Sequence, residues 1–151
     1  MTRLNLVPPA ELMDQHLFAE FREIKMVPKS LARSLAAARK RKHCEASFFY
    51  DFWGTIPKDF TLNKGHVSFF YDKGVYLSNR YLDLRLELTK RGINFDRTSQ
   101  LDPDGVFGTL DHNFLNNYAP TPEALAIIRE RIEQRLALRP GFYRYYGKVQ
   151  Q

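Results

Sequence analysis

Pro9-Ala10-Glu11-Leu12-Met13-Asp14-Gln15-His16-Leu17-Phe18-Ala19-Glu20-Phe21-Arg22-Glu23-Ile24 reads as an amphipathic helix. Ala10, Met13, Leu17, Phe21 and Ile24 recur at spacings of three and four, the stripe of a helix packed on a core. At about 100° per residue, Gln15, His16, Ala19, Arg22 and Glu23 fall together on the opposite side. That polar face, with a small residue at its middle, is the most distinctive surface the sequence offers. Upstream, Pro8-Pro9 closes an extended N-terminal arm.

Downstream the helical pattern repeats. Pro28 interrupts the first helix or restarts it. Ser30 is placed to cap a second stretch, with Leu31, Leu35 and Ala38 inward and Arg33, Arg39, Lys40, Arg41 and Lys42 outward. Residues 43–64 are aromatic-rich, are broken by Gly54 and Pro57, and read as a packed loop. A third helix is predicted from about Val75 to Arg91, with Leu77, Tyr81, Leu84 and Leu88 inward. Lys90-Arg91-Gly92 supplies its stop signal. Residues 93–119 read as a long surface loop, in which Asp102 and Asp104 serve a turn and not a calcium loop. Thr121-Pro122-Glu123 opens a last helix whose inward stripe is Leu125, Ile128, Ile132 and Leu136, and Pro140-Gly141 ends it. Arg131, Arg135 and Arg139 form a basic rail beside that stripe. The expectation is all-α: one compact domain over residues 1–151, with three to four helices, long irregular loops and an extended N-terminal arm.

The bulk figures narrow the function. The 151 residues are 44% hydrophobic and 26% charged, ordinary for a folded domain. Lys and Arg total 23 against 17 acidic residues, a net charge of +6, with a pI near 9.5. Such an excess favours polyanionic partners, nucleic acid first, because each neutralised phosphate releases counterions. No stretch approaches the ~18 apolar residues that span a bilayer, so no membrane partner is expected. Cys44 is the single cysteine, which suits a reducing cytoplasm. His16, His43, His66 and His112 are scattered without paired-ligand spacing, so neither a metal nor a cofactor is expected. Thr2 is small, and removal of Met1 is expected to leave it as the true N-terminus.

Met1-Thr2-Arg3-Leu4-Asn5-Leu6, Glu11-Leu12, Asp14-Gln15-His16-Leu17 and Ala19-Glu20-Phe21-Arg22-Glu23 closely resemble the start of the phage-type endonuclease V family. These are pyrimidine-dimer glycosylase/lyases, unrelated to the deoxyinosine endonucleases of the same name. Gly65-His66-Val67-Ser68-Phe69-Phe70-Tyr71-Asp72-Lys73, Leu88-Thr89-Lys90-Arg91-Gly92 and Arg139-Pro140-Gly141-Phe142-Tyr143-Arg144-Tyr145-Tyr146-Gly147-Lys148 extend the similarity in the same order. The resemblance implies an arm that threads between helices to the active site. It implies that the α-amine of Thr2 is the nucleophile and Glu23 the catalytic carboxylate. It also implies DNA contacts by Arg3, Gln15, His16, Arg22, Arg131 and Arg135. One position departs: Met26 stands where the family can carry Arg, and the neighbouring Lys25 is the candidate substitute, about 100° away on the helix. Residues 43–64 also look longer than the family's counterpart.

The chemistry suits these residue types. Only an amine can hold the sugar C1′ as an imine, and an α-amine has a pKa of about 7.7–8.0 against about 10.4 for Lys. Glu23 can stabilise positive charge on the sugar and move protons. Loss of the 2′ proton then permits β-elimination. The expected substrate is double-stranded DNA carrying pyrimidine dimers or abasic sites, acted on by a monomer in the cytoplasm, nucleoid-associated and bacterial or phage-encoded. Read alone, Glu23 would be a surface carboxylate paired with Arg22 or Lys25, and the arginine rail a solvated face. Two other functions compete: a glycosylase/lyase for another lesion or for abasic sites only, and a non-catalytic basic DNA-binding protein.

Overall fold

The computed structural model describes residues 4–41 and 47–150. Lys42, His43 and Cys44 lie outside the described residues. Five α-helices appear among them: α1 (Asp14–Glu23), α2 (Met26–Arg41), α3 (Phe48–Gly54), α4 (Gly74–Arg91) and α5 (Pro122–Leu138). The only sheet among the described residues is a hairpin of β1 (Arg144–Tyr145) with β2 (Lys148–Val149). The architecture is all-α, as expected.

The four longer helices lie where the apolar stripes put them. Leu17, Phe21 and Ile24 of the first stripe are buried, as are Leu31 and Leu35 of the second and Leu77, Tyr81, Leu84 and Leu88 of the third. α4 stops at Gly92, whose φ of 72° makes the left-handed cap. The Thr121 side chain accepts a hydrogen bond from the Ala124 amide (3.1 Å) and Pro122 occupies the first turn of α5.

Four local expectations are corrected. The first helix begins at Asp14: Pro9–Glu11 is a single 3-10 turn and Leu12 is extended. The Arg91 guanidinium explains the interruption, because it donates to the carbonyls of Leu12 (2.7 Å), Pro9 (3.1 Å) and Ala10 (3.3 Å), which a continuous helix would have satisfied itself. Ser30 lies inside α2, where its hydroxyl hydrogen-bonds Tyr71, and the break between α1 and α2 falls at Ile24–Lys25, ahead of Pro28. A proline is tolerated there because first-turn amides have no helical partner. Residues 43–64 contain α3, whose Phe48 and Phe52 join the core. Residues 93–119 are more than a surface loop: Phe107, Leu110 and Phe114 are buried from two 3-10 turns, while Asp102 accepts from the amides of Val106 and Phe107 (both 2.9 Å) as a turn residue.

Two knots of charge organise the helices around the arm. Glu20 and Arg80, only 1% and 5% exposed, pair through Nε–Oε2 at 2.6 Å and Nη2–Oε1 at 3.1 Å. Asp14 and Arg91 pair at 2.9 Å. Since 14 meets 91 and 20 meets 80, α1 and α4 run antiparallel. Arg80 also donates to the carbonyls of Val7 (2.6 Å) and Leu6 (3.4 Å), and Glu20 accepts from the Asn5 amide (3.0 Å). The arm thereby lies buried across the pair, with Leu4, Leu6 and Val7 in the core. At Leu6 it turns sharply: φ is 58° and the Val7 amide bonds back to the Asn5 carbonyl, a γ-turn that a branched side chain adopts only under strain.

The C-terminal hairpin docks on the start of α1. Tyr146 and Gly147, with φ of 51° and 78°, form its two-residue turn. Their amides both donate to Asp14 (3.1 and 2.8 Å).

Replacing Glu20 with Gln leaves a buried guanidinium without its counter-charge. The expected loss is about 3–5 kcal/mol in urea unfolding, and a double Glu20→Met, Arg80→Met variant should be less destabilised than Glu20→Gln.

Candidate active site

The polar face predicted for the first helix becomes the floor of a cleft of about 270 Å³. Its lining includes Asn5 of the arm, His16, Ala19, Glu20 and Glu23 of α1, Arg131 and Arg135 of α5, and Tyr143 of the tail. Ala19 is the small residue that leaves room at its middle. Helical periodicity puts 16, 19, 20 and 23 on adjoining faces, and α5 brings Arg131 and Arg135 over them one turn apart. Thus Glu23, His16, Arg131 and Arg135 share one site. Thr2 and Arg3 lie outside the described residues.

Glu23 makes no hydrogen bond or ion pair among the described residues, and the simple surface pairing does not form. Arg22 lies exposed over the Phe18 ring, 5.0 Å from its centroid, and Lys25 donates to Ser99 (2.9 Å) in the 93–119 segment. Neither lines the cleft. The second carboxylate, Glu20, is committed to Arg80 and the arm. One acid is therefore structural and the other faces the cleft with its acceptors open.

The opposite wall is electropositive. Burial holds the His16 imidazole below its ordinary pKa of 6.5, and Arg135 and Arg131 lower it further. Burial, then Arg135, also lowers Arg131. Among the described residues His16 Nδ1 is buried without a hydrogen-bond partner, and the ring lies 4.6 Å from that of Tyr143. Crowded like charges and an unmet imidazole nitrogen are the features an anion would relieve.

Gln15 reaches the rim, with both ends of its amide engaged by the tail: Nε2 donates to the Phe142 carbonyl (2.7 Å) and Oε1 accepts from the Arg144 amide (3.0 Å). This places Tyr143 in the wall. Arg139, third of the predicted rail, leaves the line and stacks on Phe142 at 3.5 Å. Of the stripe on α5 only Ile128 is fully buried, while Leu125, Ile132 and Leu136 are half-buried, and Ile132 lines the cleft.

Sequence reasoning missed Glu20, Arg80, His66 and the wall position of Tyr143. A signal existed for the first two. Glu20 sits beside Leu17 and Phe21, and Arg80 between Leu77 and Tyr81, so two opposite charges lie on faces meant for burial. Nothing local marks His66, whose role depends on a partner 62 positions away in sequence.

An all-α protein that sets an open carboxylate against an arginine wall has the form of an enzyme for a polyanionic substrate. Residues 1–101 match the family model described as pyrimidine dimer DNA glycosylase, and the chain belongs to that family. It is a DNA-repair glycosylase whose family acts on DNA with pyrimidine dimers. The matched stretch contains the arm, Glu20, Glu23, His66 and Arg80; α5 and the tail, which form the electropositive wall, follow it. Among the described residues no helix is long and apolar enough to cross a membrane.

The lowered pKa of His16 has a consequence for stability. The unfolded chain takes up this proton first as pH falls, so the contribution is complete above about 6.5 and declines as pH drops towards the lower folded value. Thermal unfolding should show that decline below pH 6.5, and His16→Gln should flatten it.

Proposed function

We propose that this glycosylase is also an abasic-site lyase, and that it excises the 5′ base of cyclobutane pyrimidine dimers through an imine formed by the α-amine of Thr2. The observation that carries this reading is the buried arm. The Leu4 amide is fixed on His66 (3.0 Å) and Asn5 lines the cleft that holds Glu23. With Met1 removed, two residues precede Leu4, and they span at most about 7 Å. The described end of the arm therefore borders the cleft that holds the carboxylate.

The amine lone pair attacks C1′, and the bond from C1′ to the base nitrogen breaks. The base leaves with the bonding electrons, still joined through the cyclobutane ring to its 3′ neighbour. Glu23 stabilises the positive charge that develops on the sugar; the nitrogen lone pair then forms the imine as the C1′–O4′ bond breaks, and Glu23 passes the proton that the nitrogen gives up to O4′. An α-amine, with a reference pKa of about 7.7–8.0, is neutral and nucleophilic at a pH where a lysine is protonated. Loss of the 2′ proton then breaks the C3′–O bond and expels the 3′ phosphate. Reaching C1′ requires the stacked lesion to be opened, which is cheapest where stacking is already weakened.

His16, Arg131 and Arg135 hold phosphate on the cleft wall. Arg22 and Lys25 stand outside the cleft and act on the flanking backbone, together with Arg3. Gln15 acts at the rim, through the tail. Such interactions give affinity without sequence preference.

Borohydride reduction on duplexes carrying one thymine dimer, one abasic site or no lesion tests the chemistry. A covalent adduct on the dimer and abasic duplexes, mapped to Thr2 by mass spectrometry, is expected. An adduct on abasic DNA alone would point to another lesion, and none on either would leave a binding protein. Glu23→Gln should slow base release about 10²–10⁴-fold with DNA affinity retained.

Salt titration tests the wall. Replacing Arg131 and Arg135 should reduce the slope of log K against log salt by about 0.9 for each phosphate that is no longer neutralised; an unchanged slope would remove them from the interface.

A further inference from the structure

We propose that His66 is a positioning residue for the amine, acting through the backbone of the arm; this rests on the imine reading above. His66 is 2% exposed, and its ring meets those of Phe60 and Phe70 edge-on at 5.3 and 5.6 Å. The Leu4 amide can only donate, so Nε2 accepts that bond (3.0 Å). Nδ1 carries the proton and donates to the Thr61 carbonyl (2.8 Å). The tautomer is thereby fixed by the loop, and the acceptor is presented to the arm.

The next amide along, that of Asn5, is held by Glu20 Oε1 (3.0 Å). Successive N–H groups of an extended segment point to opposite sides. His66 and Glu20 therefore clamp the arm from two sides, which fixes its position and its rotation about its own axis. The rotation sets the direction in which Arg3 and Thr2 leave. Beyond Leu6 the strained γ-turn prevents the arm from sliding. His66 also lines the larger cleft of about 940 Å³, which shares Arg131 with the site.

A hydrogen bond that merely stabilised the fold would affect Tm, and rate and DNA affinity only in proportion to each other. One that aims the nucleophile affects the rate of bond formation, where misplacement by about 1 Å costs on the order of 100-fold. The test is single-turnover borohydride trapping of the full chain on an abasic duplex, with DNA affinity and Tm measured alongside. His66→Leu removes the acceptor at similar volume, and His66→Gln offers a carbonyl in its place.

The expected result is a loss of about 100-fold in adduct rate for His66→Leu with DNA affinity unchanged, and partial recovery in His66→Gln. Should His66→Leu fail to fold, an ester in place of the Arg3–Leu4 amide deletes the donor alone; a synthetic segment 2–43 joined at Cys44 supplies it, and the same loss is expected. A wild-type adduct rate in these variants would overturn the positioning role while leaving the imine intact. Losses of rate and DNA affinity in proportion would also overturn it, as a purely structural effect. Failure of the wild-type protein to form an adduct at Thr2 would remove the imine reading and this role with it.

Discussion

A single buried ion pair, Glu20 with Arg80, governs how this molecule is put together. Two charges withdrawn from water carry a large desolvation penalty, and their attraction offsets it only when every remaining hydrogen-bonding position is filled. Here the filling comes from the arm: one amide for the carboxylate, two carbonyls for the guanidinium. The pair is thus completed by a segment that belongs to neither helix, and that segment in turn cannot leave without exposing two charges to an unfilled interior. The crossing of α1 on α4, the burial of the arm and the floor of the cleft are one interaction seen from three sides.

A second knot closes the other end of α1 less completely, since the Arg91 Nε is buried with no hydrogen bond among the described residues. Arg91 reaches the carbonyls that interrupt the first helix, pairs with Asp14, and lies under the rings of Tyr145 and Tyr146 at 4.9 and 4.6 Å. Asp14 holds the hairpin turn, and Gln15 holds the strand leading into it. The cleft therefore has a rigid floor and a wall secured from both ends.

Much of this was legible beforehand. The stripes of α1, α2 and α4, the Gly92 stop and the Thr121-Pro122 start depend on residues within a few positions of one another, and such local rules hold when tertiary packing agrees with them. The polar face of α1 was legible for the same reason, and it contains both Glu23 and His16. What could not be read depends on distant partners. The interruption at Leu12 needs Arg91, the place of His66 needs Leu4, and the wall position of Tyr143 needs Gln15. Lys25 illustrates the converse: a helical wheel gives its direction, but Ser99, from a segment read as loop, decides where its ammonium goes.

The docking of the hairpin on α1 also has a temporal side. Asn5 and Tyr143 face the same cleft across almost the whole length of the chain. A polypeptide emerging from the ribosome acquires its arm and its carboxylates long before the wall opposite them. Assembly of the site thus waits for residues 131–143, and a product terminated before them would retain the acid without the arginines needed to face it.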